Sequence, residues 1–331
     1  MGENYAPSAT RYDNDGFFRR CGRSGLRLPA ISMGMWHNFG DQVKDDNCRA
    51  ICRTALDLGI THFDLANNYG PPPGSAERRM GKIIKDLPRD ELVISTKAGF
   101  YMWPGPYGDH GSRKYLLASL DQSLRRLELD YVDIYYHHRP DMDTPREETL
   151  GALDQAVRSG KALYAGISSY NGQQTDDMLR VVKYHGLSRP VIHQHYYNMF
   201  DRSIEHDLLP IADEAGLGVI AFCPLAQGLL TDKYLDGIPS DSRVAAKHGA
   251  LREQDVTDRV RTRAARLNQH AKQRGQSLAQ MALAWVLRNS RVTSALTGVS
   301  RPEQVKENVA ALTNAHFDES ELKLIDEVVS S

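Results

Sequence analysis

The feature that most constrains this chain is a regular alternation of short β-branched runs with longer stretches of helical periodicity. Residues 31–34, 61–65, 92–97, 132–138, 162–168, 191–195, 218–222 and 293–297 read as eight strands. They are short, mostly apolar and separated by helical segments, the pattern of a parallel sheet covered by helices. The spacing predicts helices over 45–58, 76–85, 113–127, 147–159, 175–185, 203–215 and 258–274, then over 277–289, 302–312 and 319–329. Gly59, Gly160 and Gly216 follow three of them, where a left-handed residue closes a helix.

No Pro/Ser-rich linker or charge block interrupts the series, which favours one closed α/β barrel of the (β/α)8 type over two domains. The alternative, a doubly wound sheet, would normally carry a G-x-G-x-x-G turn after its first strand; here that strand ends Gly34-Met35-Trp36-His37. The barrel is expected over residues 17–331, behind a polar tail at 1–16. Residues 17–29 read as a β-hairpin cap around a Ser24-Gly25 turn, and the long segment 223–256 after the seventh strand reads as a lid over a cofactor.

Composition excludes several partners. Lys and Arg total 41 against 42 Asp and Glu, so nothing predicts a polyanion-binding surface and no nucleic acid is expected. No apolar stretch approaches the roughly 20 residues of a membrane span, and the polar N-terminus has no signal-like core, so a cytoplasmic protein is expected. Cys21, Cys48, Cys52 and Cys223 form no C-x-x-C pair, and the Cys48/Cys52 pair lacks a third ligand, so no metal is expected.

In such a barrel the chemistry lies at the C-terminal ends of the strands. There the sequence places Asp64 followed by Tyr69, then Lys97, then His137 and His138. An unperturbed phenol has a pKa near about 10, too high for an efficient acid at neutral pH. A buried ammonium at Lys97 is expected to lower it, with Asp64 keeping that ammonium charged and His138 orienting a carbonyl oxygen. Alternation along the strand points His137 and His138 to opposite faces.

The segments GITHFDLANNYG (59–70), STKAG (95–99), LDYVDIYYHHRP (129–140), GISSY (166–170), IHQHYYN (192–198), PLAQGLLTDKY (224–234) and TGVSRPEQVKENV (297–309) together resemble the aldo-keto reductase superfamily, in order and over nearly the whole chain. NNYGPPPGSAE (67–77) and MWPGPYG (102–108) make it most similar to the branch of bacterial L-glyceraldehyde-3-phosphate reductases and potassium-channel β subunits. The resemblance implies a catalytic tetrad of Asp64, Tyr69, Lys97 and His138, with His138 rather than His137 aligned to the family motif and His137 left to packing, and NADPH held without a Rossmann fold. It implies cofactor contacts from Trp36, Asp64, Ser168, Ser169, Gln194 and Phe222, from Cys223, Pro224, Leu225, Gln227 and Gly228, from Lys233 and Arg243, and from Gly298, Ser300, Gln304, Glu307 and Asn308. Ser169 stands where many relatives have Asn. Trp36, Tyr69, Trp103, His138 and Arg139 are the expected substrate contacts, with His37 and Tyr101 as further walls. Arg139 replaces a tryptophan common in the family, suiting either an anionic substrate group or an ion pair with Asp141 or Glu147.

The expected activity is NADPH-dependent reduction of small aldehydes, with L-glyceraldehyde 3-phosphate and methylglyoxal as candidates. A homo-oligomer is compatible with it. One alternative is an NADPH-carrying regulatory or redox-sensing subunit similar to the channel β subunits. Another is a metal-dependent hydrolase built on His193-x-His195, but this needs inward the face opposite Gln194.

Overall fold

The computed structural model describes residues 5–14, 16–240, 242, 244–245 and 249–331. Strand β1 (Phe18–Arg20) pairs antiparallel with β2 (Arg27–Pro29), forming the expected hairpin. Eight strands follow: β3 (Ile31–Gly34), β4 (His62–Asp64), β5 (Val93–Ala98), β6 (Val132–His137), β7 (Ala162–Ser168), β8 (Ile192–Tyr196), β9 (Gly218–Phe222) and β10 (Val292–Thr297). They pair in parallel in chain order and β10 returns to β3, closing the barrel. The helices are α1 (Asp45–Asp57), α2 (Ser75–Ile84), α3 (Arg113–Leu127), α4 (Arg146–Arg158), α5 (Gly172–His185), α6 (Leu208–Ala215), α7 (Asp258–Gln273), α8 (Leu278–Leu287), α9 (Pro302–Val309) and α10 (Glu319–Ser330). Among the described residues no helix is long and apolar enough to cross a membrane.

Residue parity along the strands divides the interior in two. Phe63, Ile94, Tyr135, Ile167, Val219 and Ala295 belong to the large cluster shared with the helices. On the opposite strand faces, Ile134, Tyr136, Ile192, Ile220 and Leu296 form a second cluster with Cys21, Leu26 and Leu28 of the hairpin. This is the two-residue period of a strand with one face to the helices and one to the barrel axis. The hairpin thus packs against axial side chains and covers the N-terminal end. Entry is left to the C-terminal end, where the strand-to-helix loops lie.

Helix ends follow local hydrogen bonding. Helix α5 starts at Gly172, three residues ahead of expectation, because Asn171 and Gln174 exchange side-chain to backbone bonds of 2.8 and 3.0 Å in a capping box. Helix α6 starts later than expected. Ser203–Glu205 ahead of it is a 3-10 turn, and Asp201 competes for the Ser203 backbone N–H and hydroxyl at 3.1 and 2.7 Å. Gly59, Gly160 and Gly216 have φ of 84°, 74° and 64°, the left-handed closure expected of them.

The segment after β9 contains short 3-10 turns at Ala226–Gly228, Asp232–Tyr234 and Glu253–Asp255. Tyr234, Val244 and Leu251 bury one another in a small apolar cluster separate from the barrel core. Gly249, farther along it, lies toward His37 on the loop after β3, so the segment reaches the mouth of the barrel.

Candidate active site

Parallel pairing sets Asp64 on β4 beside Ser95 on β5, with Lys97 one inward position farther along the same strand. Asp64 and Lys97 have no exposed surface and form an ion pair. The Lys97 ammonium also donates to the Leu65 carbonyl at 2.7 Å and to the Tyr69 hydroxyl at 3.2 Å. Three donors and three acceptors are therefore matched around one buried charge.

The chain beyond β4 is pinned so that Tyr69 reaches this ammonium. Leu65 N donates to Ser95 O at 2.9 Å, Asn67 N to Lys97 O at 2.9 Å, and Tyr69 N to Ala66 O at 3.0 Å. The buried Asn67 amide donates to the Tyr115 hydroxyl of α3 at 3.0 Å, tying the turn to the helix layer. His138, just past β6, is held by its N–H on Ala98 O at 2.9 Å. Its ring stands edge-on to Tyr69, with centroids 5.7 Å apart, and to Phe100 at 4.7 Å. All four expected residues thus meet at the barrel mouth. Tyr69 keeps a partly exposed edge there, within a rim that includes the exposed Trp36, Phe100 and Tyr101.

Electrostatics differ from the sequence expectation at one point. Burial pushes the Tyr69 phenol well above its ordinary range, with the carboxylate of Asp64 next and Cys223 after it, where Lys97 was expected to lower it. The physical reason is that desolvation of the buried phenol outweighs the pull of an ammonium whose charge Asp64 offsets in part. Tyr69 is therefore fully protonated at neutral pH. Burial also lowers Lys97, opposed by Asp64, and holds His138 well below its usual value with help from Lys97, His137 and Arg139. His138 is a neutral imidazole that can donate one hydrogen bond.

The other expected residues are placed as follows. Gln194 is buried and donates to Asp64 Oδ1 at 3.2 Å, on the strand face opposite His193. Ser168 is buried at the end of β7 and its hydroxyl lies 3.4 Å from that of Ser169, whose φ is 64°. Phe222 packs edge-on against Tyr196 at 5.6 Å. Cys223, Gln227 and Gly228 have φ of 52°, 58° and 106°, with Pro224 and Leu225 between them. Lys233 is exposed on a 3-10 turn; Arg243 lies outside the described residues. Ser300 donates its N–H and hydroxyl to Gln304 at 2.8 and 3.1 Å, beyond exposed Gly298; on α9 Glu307 is exposed and Asn308 buried. Trp36 lies 6.2 Å from Tyr69 between ring centroids, and Trp103 packs at 5.2 Å on Tyr115.

Arg139 departs from expectation in its partner. It donates to Gly99 O at 2.6 Å and to Asp109 at 2.9 Å, and its guanidinium lies 4.5 Å over Phe100, whereas Asp141 accepts from Gly111 N at 2.8 Å. The loop after β5 brings Asp109 across, which sequence distance hides. His137 is packed as expected, 2.5 Å from the Tyr170 hydroxyl. Sequence reading missed His62, Ser95, Ser32 and Ser294, which join inside the barrel. The signal was there for two of them, since His62 and Ser95 lie two positions before Asp64 and Lys97 on the same strand faces. Among the described residues no group of three or more His, Cys, Asp or Glu side chains could hold a metal ion.

Two buried imidazoles set an acid limit on stability. Burial lowers His62 and His137 to about 4, below the ordinary 6.5 of the unfolded chain. Between those values the unfolded state binds the extra protons, so stability is complete above about 6.5 and declines as pH falls toward 4. In urea titrations the wild type should weaken across this window. His137→Gln should have a shallower slope by about one proton. An unchanged slope would show that His137 does not contribute.

The aldo/keto reductase family profile matches residues 30–330. The chain is 55% identical over 322 residues to the L-glyceraldehyde 3-phosphate reductase of Escherichia coli strain K12, covering 95% of this chain and 92% of that protein. It is 38% identical over 300 residues to a probable voltage-gated potassium channel subunit beta of Oryza sativa subsp. japonica, covering 89% and 90%. A crystal structure of a thermostable aldo-keto reductase in complex with the inhibitor epalrestat superposes with a TM-score of 0.75 at 31% identity, covering 94% of this chain and 99% of that one. Barrel fold and sequence agree, and the chain belongs to the aldo/keto reductase family.

Proposed function

We propose that this protein is an NADPH-dependent reductase of small aldehydes in which Tyr69 is the general acid. The observation that carries the reading is the protonated Tyr69 hydroxyl held 3.2 Å from a buried, ion-paired Lys97, with neutral His138 beside it at the barrel end opposite the hairpin. The surroundings fit a nicotinamide cofactor. Ser168 and Gln194 are buried polar groups at neighbouring strand ends, and His138 Nδ1 is buried with no hydrogen-bond partner among the described residues. Left-handed non-glycine residues after β7 and β9 are backbone strain of a kind that gathers at ligand-holding loops. Ser168, Ser169 and Gln194 would hold the carboxamide, and Phe222 the ring face. Trp36, Asp64, Cys223, Pro224, Leu225, Gln227 and Gly228 would line the ring and phosphates. Gly298, Ser300, Gln304, Glu307 and Asn308 would hold the adenosine end.

NADPH, when bound, supplies the hydride. The chain's own groups then act on the carbonyl oxygen. His138 donates a hydrogen bond that fixes its direction, and Tyr69 delivers a proton as negative charge develops there. Lys97 stabilises the phenolate left behind, and Asp64 holds Lys97 charged and aimed.

A panel of short aldehydes followed by NADPH absorbance tests the reading. Multiple turnover with L-glyceraldehyde 3-phosphate and methylglyoxal is expected. A single slow turnover with every aldehyde would instead assign the chain to cofactor-carrying regulation.

Two of the proposed contacts make separate predictions. Lys233 and Arg243 should meet the 2′-phosphate, so neutralising both should weaken NADPH binding on the order of a hundredfold and leave NADH binding nearly unchanged. Parallel losses for both cofactors would rule that contact out. Arg139 stands next to His138 with its guanidinium fixed by Asp109, which would present it to an anionic substrate group at little entropic cost. Arg139→Met should lower kcat/KM for L-glyceraldehyde 3-phosphate about tenfold more than for methylglyoxal. Equal losses would give Arg139 a scaffold role only.

A further inference from the structure

Behind the tetrad, a line of hydrogen-bonded side chains crosses the barrel interior. Ser294 on β10 lies 2.6 Å from Ser32 on β3, Ser32 lies 2.9 Å from His62 Nδ1, and His62 Nε2 lies 3.1 Å from the Ser95 hydroxyl on β5. Ser95 then lies 2.6 Å from Asp64 Oδ1. All five side chains are fully buried.

The direction of each proton from Asp64 to Ser32 follows from the charged end. Asp64, paired with Lys97, is a carboxylate and can only accept, so the Ser95 hydroxyl donates to it. The Ser95 oxygen, its one proton used, accepts from His62 Nε2–H. A neutral imidazole with Nε2 protonated must accept at Nδ1, so Ser32 donates there; beyond it the Ser294 hydroxyl lies 2.6 Å from Ser32 Oγ and 3.3 Å from the Ala30 carbonyl. Burial keeps His62 neutral, which the scheme requires. An apolar side chain at position 62 would leave two buried hydroxyls without their partner, so the imidazole joins strands β3 and β5 through β4.

We infer that His62 is a positioning residue of this reductase: its Nε2–H, through Ser95, fixes the Asp64 carboxylate in the orientation that aims Lys97 at Tyr69. Gln194 and Ser95 both bond Oδ1, leaving Oδ2 to Lys97, so loss of the Ser95 bond frees the carboxylate to rotate away from that division. The inference rests on Tyr69 being the proton donor.

The test combines a spectroscopic signature with kinetics. Nitrogen NMR of labelled imidazoles in the wild-type protein at neutral pH should show His62 as the Nε2–H tautomer; an Nδ1–H tautomer would overturn the inference without any variant being made. In single-turnover assays Ser95→Ala should slow hydride transfer roughly tenfold to hundredfold with NADPH affinity unchanged. His62→Gln, whose amide can donate from the same position, should stay within a few-fold of wild type. In a Tyr69→Phe background Ser95→Ala should add no further loss, because both act on one proton transfer. A wild-type rate for Ser95→Ala, or a fully additive loss in the double variant, would overturn the positioning role while leaving Tyr69 in place. A wild-type rate for Tyr69→Phe alone would instead remove the reading on which both depend.

Discussion

Tyr69→Phe should reduce single-turnover hydride transfer by about two to four orders of magnitude, because it deletes the hydroxyl while keeping the ring. The ring packs near Trp36 and His138, so the pocket shape is retained and NADPH affinity should change little. Lys97→Met should give a loss of similar size for a different reason. Burial already holds the Tyr69 phenol well above its usual range, and without the ammonium nothing stabilises its phenolate as the proton leaves. Rapid-mixing measurements with aldehyde and preloaded cofactor read the chemical step directly, and a rate within threefold of wild type in either variant would exclude the assigned role.

Removing Asp64 alone should be among the most destabilising single changes in the protein. Asp64 and Lys97 are fully buried, and breaking such a pair leaves one uncompensated charge, a cost of about 3–5 kcal/mol. Asp64→Leu should therefore unfold at much lower urea concentration than wild type. Asp64→Leu combined with Lys97→Met removes both charges and should recover most of that loss while remaining catalytically dead. If the double variant is as unstable as the single one, the cost comes from packing or from the Ser95 and Gln194 bonds rather than from the stranded ammonium.

Much of this was legible in the sequence, for physical reasons. Strand and helix periods differ, so eight β-branched runs among helical segments specify the barrel before any contact is known. Asp64, Lys97 and His138 stood out because charged and polar groups closing apolar strands carry a desolvation cost that needs a reason. The interior line from Ser294 to Ser95 was not legible, because its members come from separate strands and meet only once the barrel register is set. The Arg139–Asp109 pair joins two loops 30 positions apart, and no local pattern encodes that approach. The phenol's direction also escaped, because it depends on how completely Asp64 cancels Lys97, which is a matter of distance.

The alternation along each strand carries a consequence for how such a chain can change. Tyr135 holds the sheet to its helices, while Tyr136 and Ile134, its immediate neighbours, line the axis beneath the site. Durability and reactivity are therefore written in alternate letters of the same short words. Lineages that drift toward new substrates can rewrite one set at the mouth while the other goes on holding the barrel closed.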